Sequence, residues 1–224
     1  MNKTIDVILP KILGRKESFL QADVDGARVA IASALENKRV LIIGAAGSIG
    51  AAFTRVLVDY QVSGLHLVDI SENNLAELVR DFRSSGVALP VDFQTFAIDF
   101  SGPEMRALLG MEAYDYVLNF AALKHVRSER DPLTLMRLLE VNVLANDQLI
   151  QSLLETNPPT RVFAVSSDKA VRSANLMGGS KAFMERVFIS RANELPFGSA
   201  RFANVAFSDG SLLYSFLRRL ELRQ

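Results

Sequence analysis

The sequence predicts an α/β protein built on a doubly wound parallel sheet, the Rossmann fold, with helices on both faces in a three-layer arrangement. Short apolar runs alternate with helix-like stretches over residues 38–224, and this alternation is typical of a parallel sheet. The first apolar run, at residues 40–43, leads directly into Gly44, Gly47 and Gly50. That spacing, between a strand and a helix, is typical of a turn that receives the phosphates of a dinucleotide.

The composition excludes several classes of function. Lysine plus arginine and aspartate plus glutamate each total 25 among 224 residues, so the formal net charge is zero. A neutral chain argues against nucleic acid or an anionic membrane surface as a partner. The absence of cysteine excludes disulfides and thiolate metal ligands, and two histidines are too few for a histidine-rich metal site, so no metal is predicted. No apolar run approaches the roughly 20 residues that cross a bilayer, and we expect a soluble, cytoplasmic protein.

The chain order of the elements follows from hydrophobic periodicity. Residues 1–37 are predicted to form an N-terminal extension with a helix over residues 19–35, and residues 38–224 to form the nucleotide-binding domain. Strands are predicted at residues 40–43, 65–69, 91–98, 116–120 and 161–165, with a sixth starting at residue 200. Helices are predicted at residues 48–58, 71–84, 103–109, 133–155, 177–191 and 211–223. Because the helix at 133–155 is apolar all round, we expect more than one of its faces to be covered.

Each glycine of the first turn has a separate reason to be there. Gly44 permits a tight turn, Gly47 lets backbone N–H groups approach a pyrophosphate, and Gly50 lets the helix pack close to the strand. The helix then points its positive end at the phosphates. Asp69 ends the second strand, where its carboxylate can accept hydrogen bonds from both ribose hydroxyls, which favours NAD over NADP. The alternative is a tight turn with only a structural role.

A second cluster carries the candidate chemistry. Ser167, Asp168 and Lys169 leave the carboxyl end of the fifth strand, where doubly wound sheets bind their ligands. Met177 and Lys181 are four residues apart, so they share one face of the next helix. An isolated Asp-Lys pair is usually a solvated ion pair, but its position here favours a catalytic role.

Six segments together resemble a known family. They are GAAGSIG at residues 44–50, DISE at 69–72, AALKHV at 121–126, SDKAV at 167–171, MGGSK at 177–181 and RFANV at 201–205. In this order they are similar to the extended short-chain dehydrogenase/reductases of polysaccharide biosynthesis, the UDP-N-acetylglucosamine 4,6-dehydratase group. Members of that group continue into a substrate lobe, and we expect most of that lobe to be missing from these 224 residues.

The resemblance implies an internal redox cycle on a UDP-sugar. NAD takes a hydride from C4, a base removes the C5 proton, water leaves from C6, and the hydride returns to C6. By the same resemblance, Ser167 hydrogen-bonds the C4 oxygen and Lys169 is the base at C5. Asp168 protonates the departing C6 hydroxyl, provided that burial raises its pKa. Lys181 binds the nicotinamide ribose, and its charge lowers the pKa of Lys169.

Met177 departs from the superfamily pattern, because tyrosine usually occupies this position and a thioether cannot accept a proton. The base for the C4 hydroxyl is therefore open between Lys169 and a water held by Ser167. The alternative is that oxidation at C4 has been lost. The predicted catalytic residues are Ser167, Asp168, Lys169, Met177 and Lys181.

The predicted cofactor is NAD, with NADP open as an alternative if another loop supplies a basic residue. The predicted cofactor-binding residues are Gly44, Ala46, Gly47, Ser48, Ile49, Gly50, Asp69, Ile70, Ser71, Asp99, Phe100, Ala121, Ala122, Lys124 and Lys181, although Asp99 could instead cap the following helix. The predicted substrate-binding residues are Lys124, His125 and Asn204. We expect a UDP-sugar as substrate and a homo-oligomer, with a nucleotide-sugar 4-epimerase or a non-catalytic dinucleotide-binding module as alternative functions. For Asn142, inside the long predicted helix, a structural hydrogen bond to a neighbouring loop is expected.

Overall fold

The computed structural model describes residue 7 and residues 10–125, 129–156 and 160–222. Val126, part of one family-like segment, lies outside the described residues. The chain divides into two compact units, Met1–Glu36 and Asn37–Gln224. The first unit contains helix α1 (Gln21–Leu35), which begins two residues later than predicted and buries none of its residues.

The second unit is built around six parallel strands in the order β3-β2-β1-β4-β5-β6. The strands are β1 (Arg39–Ile43), β2 (Gly64–Asp69), β3 (Asp92–Ala97), β4 (Tyr116–Asn119), β5 (Arg161–Ser167) and β6 (Phe197–Phe202). Chain order runs outward from β1 in one direction and then from β4 in the other. The reversal between β1 and β4 opens a crevice at the carboxyl ends of these two strands. The predicted doubly wound α/β fold is confirmed.

Seven helices accompany this sheet among the described residues of the second unit. They are α2 (Ser48–Leu57), α3 (Glu72–Ser84), α4 (Pro103–Met111), α5 (Pro132–Leu139), α6 (Ala145–Thr156), α7 (Leu176–Ser190) and α8 (Leu212–Glu221). A π-helical turn (Glu140–Leu144) joins α5 to α6, and a 3-10 turn (Asp168–Ala170) follows β5. No helix in the described part of the chain is long and apolar enough to span a bilayer.

Strand β1 is the centre of the core. It pairs with β2 on one side and β4 on the other, and residues 40–43 are almost fully inaccessible to solvent. This burial matches the continuous apolar run, because a central parallel strand is covered on both faces. Apolar residues from α4, α6 and α7 complete the main hydrophobic cluster.

The prediction of one long helix at residues 133–155 is wrong in one respect, because the π-helical turn divides this stretch into α5 and α6. Two buried amides lie at the interruption. Asn146 Nδ2 donates to the carbonyl oxygens of Val141 and Asn142, at 3.3 and 3.1 Å. The Asn142 side chain binds both backbone groups of Leu123, at 2.9 Å each. The structural hydrogen bond expected for Asn142 is confirmed, and it ties the interrupted helix to the loop after β4.

Two further expectations need correction. Strand β6 begins at Phe197 rather than at residue 200, because its first residue already pairs with Val162 of β5. The expected cover on more than one face fails for α5, in which only Leu138 is buried while Leu133 and Met136 are largely exposed.

Replacing Gly50 with alanine should destabilise the fold, because a Cβ at this position would lie 2.1 Å from the carbonyl oxygen of Gly44. Since the obstacle is backbone, we expect a loss of about 1–3 kcal/mol or more in the free energy of unfolding. Gly110→Ala in α4 is the matched control, because its Cβ would meet nothing within 4 Å. That variant should be neutral or up to about 1 kcal/mol more stable. Urea denaturation of both variants checks this, and equal stability would contradict the close-packing argument.

Candidate active site

A cavity of about 870 Å³ opens at the carboxyl ends of the strands. Most of the site residues predicted from the sequence line it. They are Gly44, Gly47, Ser48, Ile49, Gly50, Asp69, Ile70, Asp99, Phe100, Ala121, Ala122, Lys124, His125, Ser167, Lys169, Met177, Lys181 and Asn204. Three predicted residues do not line it: Ala46, Ser71 and Asp168. The volume is within the range of small-molecule and cofactor sites.

The glycine turn has the geometry that its sequence predicts. Gly44 adopts a left-handed φ of 73°, and a Cβ there would lie 2.6 Å from the backbone nitrogen of Ala121. Gly47 is the N-cap of α2 and contributes no side-chain cap, while the first residues of the helix line the cavity. The N-terminal amides of α2 therefore face this cavity with the positive end of the helix dipole.

Asp69 connects the turn to the end of β2. Its Oδ2 accepts a hydrogen bond from the Ala46 N–H and its Oδ1 one from the Ser71 N–H, both at 2.9 Å. These bonds fix the carboxylate at the cavity wall and leave a lone pair on each oxygen. Ala46 and Ser71 do not line the cavity, but their N–H groups orient the Asp69 carboxylate, which does. Ser71 Oγ also accepts from Asn74 N at 3.3 Å, which makes Ser71 the N-cap of α3.

Asp99, which follows β3, is held by more partners than the sequence suggested. Its Oδ1 accepts from the N–H and hydroxyl of Ser101, and its Oδ2 pairs closely with Arg137. Burial opposes ionisation, but these bonds outweigh it and keep the pKa of Asp99 below its ordinary value. The alternative that Asp99 caps the next helix is wrong, because the N-cap of α4 is Gly102, without a side-chain bond.

The residues after β5 form a compact polar turn. Ser167 Oγ accepts from Lys169 N at 3.2 Å and donates to Asp168 Oδ1 at 3.0 Å. Lys169 Nζ lies 3.3 Å from that same carboxylate oxygen and 3.2 Å from Oδ1 of Asn204. Ser167, Lys169 and Asn204, separated by up to 37 positions in the sequence, thus meet at one wall of the cavity.

Asp168 does not meet the condition set for it as an acid. Its side chain is about half exposed and is absent from the cavity wall. The hydrogen bond from Ser167 and the neighbouring Lys169 ammonium lower its pKa, whereas a general acid needs a raised pKa. The expectation that burial raises the pKa of Asp168 is therefore wrong for this conformation.

Helix α7 places Met177 and Lys181 on the cavity wall. Asn175 caps the helix by accepting from Gly178 N, and Glu129 Oε1 accepts from Met177 N, both at 2.8 Å. Lys181 is 6% exposed and donates from Nζ to the Val165 carbonyl at 2.8 Å. Burial lowers the pKa of Lys181 to about 8, and the Glu185 carboxylate opposes this shift.

Glu185 and Arg201 form a bidentate pair behind Lys181. Arg201 Nε donates to Glu185 Oε1 at 2.8 Å and Nη2 donates to Oε2 at 2.6 Å. The arginine lowers the pKa of Glu185 and keeps it ionised. Because Glu185 follows Lys181 by one helical turn, its negative charge partly offsets the cost of burying the ammonium.

The chain after β6 closes one side of the cavity; residues 204–211 are called the strap below. Ser48 Oγ donates to Asp209 Oδ2 and accepts from Asp209 N, both at 3.0 Å. Lys124 Nζ donates to the Asp209 carbonyl at 2.9 Å. Gly210 lies against His125, since a Cβ at that position would be 3.0 Å from the imidazole Cε1.

Arg137, Glu129 and Asp209 are among the residues at this site that were not anticipated from the sequence. Each forms a hydrogen bond with a residue that is 38, 48 or 161 positions away in the chain. No local spacing marks such pairs. In the parts of the chain that the structure describes, there is no cluster of acids and histidines able to hold a metal ion.

Residues 40–223 match the family described as polysaccharide biosynthesis protein. The chain belongs to this family. The match includes the glycine turn, the cluster after β5 and the strap, so the family shares the part of the chain that forms the cavity.

Three relatives of this chain are informative. An uncharacterized membrane protein of Methanocaldococcus jannaschii is 30% identical over 82% of the chain and 54% of its own length. The UDP-N-acetylglucosamine 4,6-dehydratase (inverting) of Campylobacter jejuni is 28% identical over 80% and 52%. The UDP-glucose 4-epimerase of Rickettsia massiliae is 30% identical over 83% and 54%. The chain spans about half the length of these relatives.

Solved structures share the fold. Pen from Bacillus thuringiensis matches with a TM-score of 0.73 and 26% identity over 84% of this chain and 57% of its own. WbmF from Bordetella bronchiseptica, solved in complex with NAD+, matches with a TM-score of 0.61 and 22% identity over 78% and 54%. A putative short-chain dehydrogenase from Shigella flexneri also shares the fold, with a TM-score of 0.64 and 20% identity over 76% of this chain and 83% of its own.

Burial of Lys181 should make stability depend on pH. The pKa of about 8 for Lys181 in the folded protein lies below the ordinary lysine value of 10.5. The folded state therefore loses this proton first, and its stability rises as pH increases between these two values. Between pH 7 and pH 10, wild type should gain about 2–3 kcal/mol of unfolding free energy relative to Lys181→Met. Urea denaturation across this range is the measurement. Lys16→Met, at an exposed position, should run parallel to wild type, and a parallel curve for Lys181→Met would refute the shift.

Proposed function

We propose that this chain is the NAD-binding, catalytic part of a nucleotide-sugar 4,6-dehydratase acting on UDP-N-acetylglucosamine. One observation carries the proposal: the glycine turn, Asp69, Lys169 and Lys181 line a single cavity. A dinucleotide site needs the first two, and redox chemistry on a sugar hydroxyl needs cationic groups beside the nicotinamide. The dehydratase and epimerase relatives support a nucleotide-sugar substrate.

The residues present fit a dinucleotide. At Gly47 a Cβ would lie 3.4 Å from the Gly44 carbonyl oxygen, and without it the backbone leaves an open cradle at the N-terminus of α2. Such a cradle suits a pyrophosphate, because backbone N–H groups and the helix dipole both favour an anion. Asp69 would hold the adenosine ribose, and Asp99 and Phe100 would contact the adenine.

The charges at the adenosine end favour NAD over NADP. Asp69 and Asp99 are both acidic, and a 2′-phosphate would face them. Arg137 is a basic residue from another element, but it is already paired with Asp99 and with Glu140, at 3.1 Å for the second. Its charge is therefore neutralised locally. The end of the cavity that would receive a 2′-phosphate thus remains acidic.

Bound NAD would supply the hydride acceptor at C4 and the hydride donor at C6, so that no cofactor is consumed. Ser167 orients the C4 oxygen through its hydroxyl, and Lys169 takes the proton from C5. The hydroxyl leaves C6 as water after it is protonated, and a proton is returned to C5. Lys181 anchors the nicotinamide ribose from the helix that also carries Met177.

Two proton transfers in this scheme have alternative donors or acceptors. Asp168 is the proposed acid at C6, and for that role the bound sugar must bury it and replace its bond from Ser167. Because Met177 cannot accept the C4 hydroxyl proton, Lys169 or a water held by Ser167 is the proposed acceptor. Epimerisation at C4 is the alternative reaction, favoured by the epimerase relatives. A non-catalytic dinucleotide-binding module is favoured by Met177.

We also propose a homo-oligomer. Helices α5 and α7 expose apolar side chains in the single chain, among them Leu133, Met136, Phe183 and Ile189. Exposed apolar patches of this kind mark association surfaces.

The dehydratase proposal is tested with the chain, UDP-N-acetylglucosamine and substoichiometric NAD in D2O. We expect a 4-keto product lighter by one water, with deuterium at C5 and no accumulation of NADH, detected by mass spectrometry and absorbance. A product of unchanged composition with C4 inverted would favour the epimerase. Tight NAD binding without conversion, both by the 224 residues and by a version that also carries a substrate lobe, would favour the non-catalytic module.

Replacing Lys169 with alanine should separate catalysis from cofactor binding. Removal of a general base typically costs about 10²–10⁴ in rate, and we expect a loss of this size in turnover. NAD affinity should change less than about threefold, since the proposed cofactor contacts come from other residues. Lys16→Ala, far from β5 in sequence and exposed, is the control. A Lys169→Ala variant with wild-type turnover would exclude this residue as the base.

A further inference from the structure

Residues 204–211 contact four of the site residues predicted from the sequence, namely Ser48, Lys124, His125 and Lys169. Asn204 Oδ1 binds Lys169 Nζ at 3.2 Å, and the Asp209 carbonyl binds Lys124 Nζ at 2.9 Å. The Asp209 carboxylate and N–H engage the Ser48 hydroxyl, and Gly210 lies against His125. The strap thus satisfies the groups that would otherwise face a ligand.

The contact between the Asp209 carboxylate and Ser48 bears most directly on cofactor binding. Ser48 is the first residue of α2, at the positive end of the helix where the glycine turn is open. A carboxylate is stabilised at such a position. A pyrophosphate would place further negative charge at the same helix end, and like charges close together are unfavourable. The cofactor and Asp209 therefore compete for this end of α2.

The conformation of the strap is consistent with a segment that is held in place. Phe207 has a left-handed φ of 58° and Gly210 a φ of 74°. A left-handed conformation is unfavourable for a bulky residue such as phenylalanine. The strap is closed on itself only by short-range bonds, such as Ser208 Oγ to Val205 O at 2.9 Å and Ser211 N to Ser208 O at 2.8 Å. Its contacts with α2 and Lys124 are the ones that fix it over the cavity.

We infer that the strap is a built-in competitor of the dinucleotide: Asp209 is bound to Ser48 at the N-terminus of α2, where the phosphates would bind, and cofactor binding displaces it. The inference rests on the proposed NAD site. Because both side chains bind Asp209, one movement of the strap frees Ser48 Oγ and Lys124 Nζ together. Cofactor entry would therefore prepare the groups that receive the sugar nucleotide, which couples the two binding steps.

The test measures NAD affinity of the full chain by calorimetry for wild type, Asp209→Ala, Asp209→Asn and the control Asp59→Asn. Asp59 is exposed and lies just after the C-terminal end of α2. Its replacement by asparagine removes the same charge as Asp209→Asn. We expect Asp209→Ala to bind NAD about three- to tenfold more tightly than wild type. Asp209→Asn should bind more tightly to a smaller degree, and Asp59→Asn should match wild type. In wild type, amide hydrogen exchange at residues 204–211 should accelerate when NAD is added.

The possible failures are distinguishable. If NAD binds wild type and Asp209→Ala with equal affinity, or binds the variant more weakly, the competitor role is refuted while the proposed cofactor site stands. If Asp59→Asn tightens binding as much as Asp209→Ala, the effect is one of net charge and the strap has no special role. If NAD binds none of the four proteins, the proposed function fails, and the strap then guards no cofactor site.

Discussion

The structure depends on a close approach between backbones where the first strand turns into the first helix of the sheet domain. A Cβ on Gly50 would overlap the Gly44 carbonyl, and one on Gly44 would overlap the chain after β4. Only glycine permits both approaches. The same closeness brings the N-terminus of α2, Asp69 and the Ala121–Ala122 segment to one cavity, so the packing and the shape of this cavity have a single steric origin.

Buried polar groups carry this arrangement to the far side of the cavity. Asn142 binds both backbone groups of Leu123 and also donates to Ser180 Oγ at 3.0 Å. It therefore joins the loop after β4 to α7, the helix that presents Met177 and Lys181. Such a network is stabilising only when every member is satisfied. The π-helical turn at residues 140–144 contains Asn142, and the irregularity in the helix accompanies this connection.

Charge at the cavity is balanced locally and in pairs. Arg137 neutralises Asp99 at one end, and Arg201 with Glu185 stands behind Lys181 at the other. The strap adds a third acid at the phosphate end through Asp209. Burial alone would make Lys181 an unfavourable cation, and the neighbouring Glu185 reduces that cost. The cavity wall thus carries Lys124, Lys169 and Lys181 beside these acids, and the strap pairs with the first two lysines.

The sequence by itself determined the sheet, the glycine turn, the carboxylate of Asp69 and the pairing of Met177 with Lys181 on one helix, because each follows from residues close together in the chain. The break in the long helix, the start of β6 and the partners of Asp99 were decided only by the tertiary structure. So was the lowered pKa of Asp168, since it depends on which neighbours reach the carboxyl group. Ser48 and Asp209 are 161 positions apart, and no local pattern specifies a contact that exists only after the chain has folded.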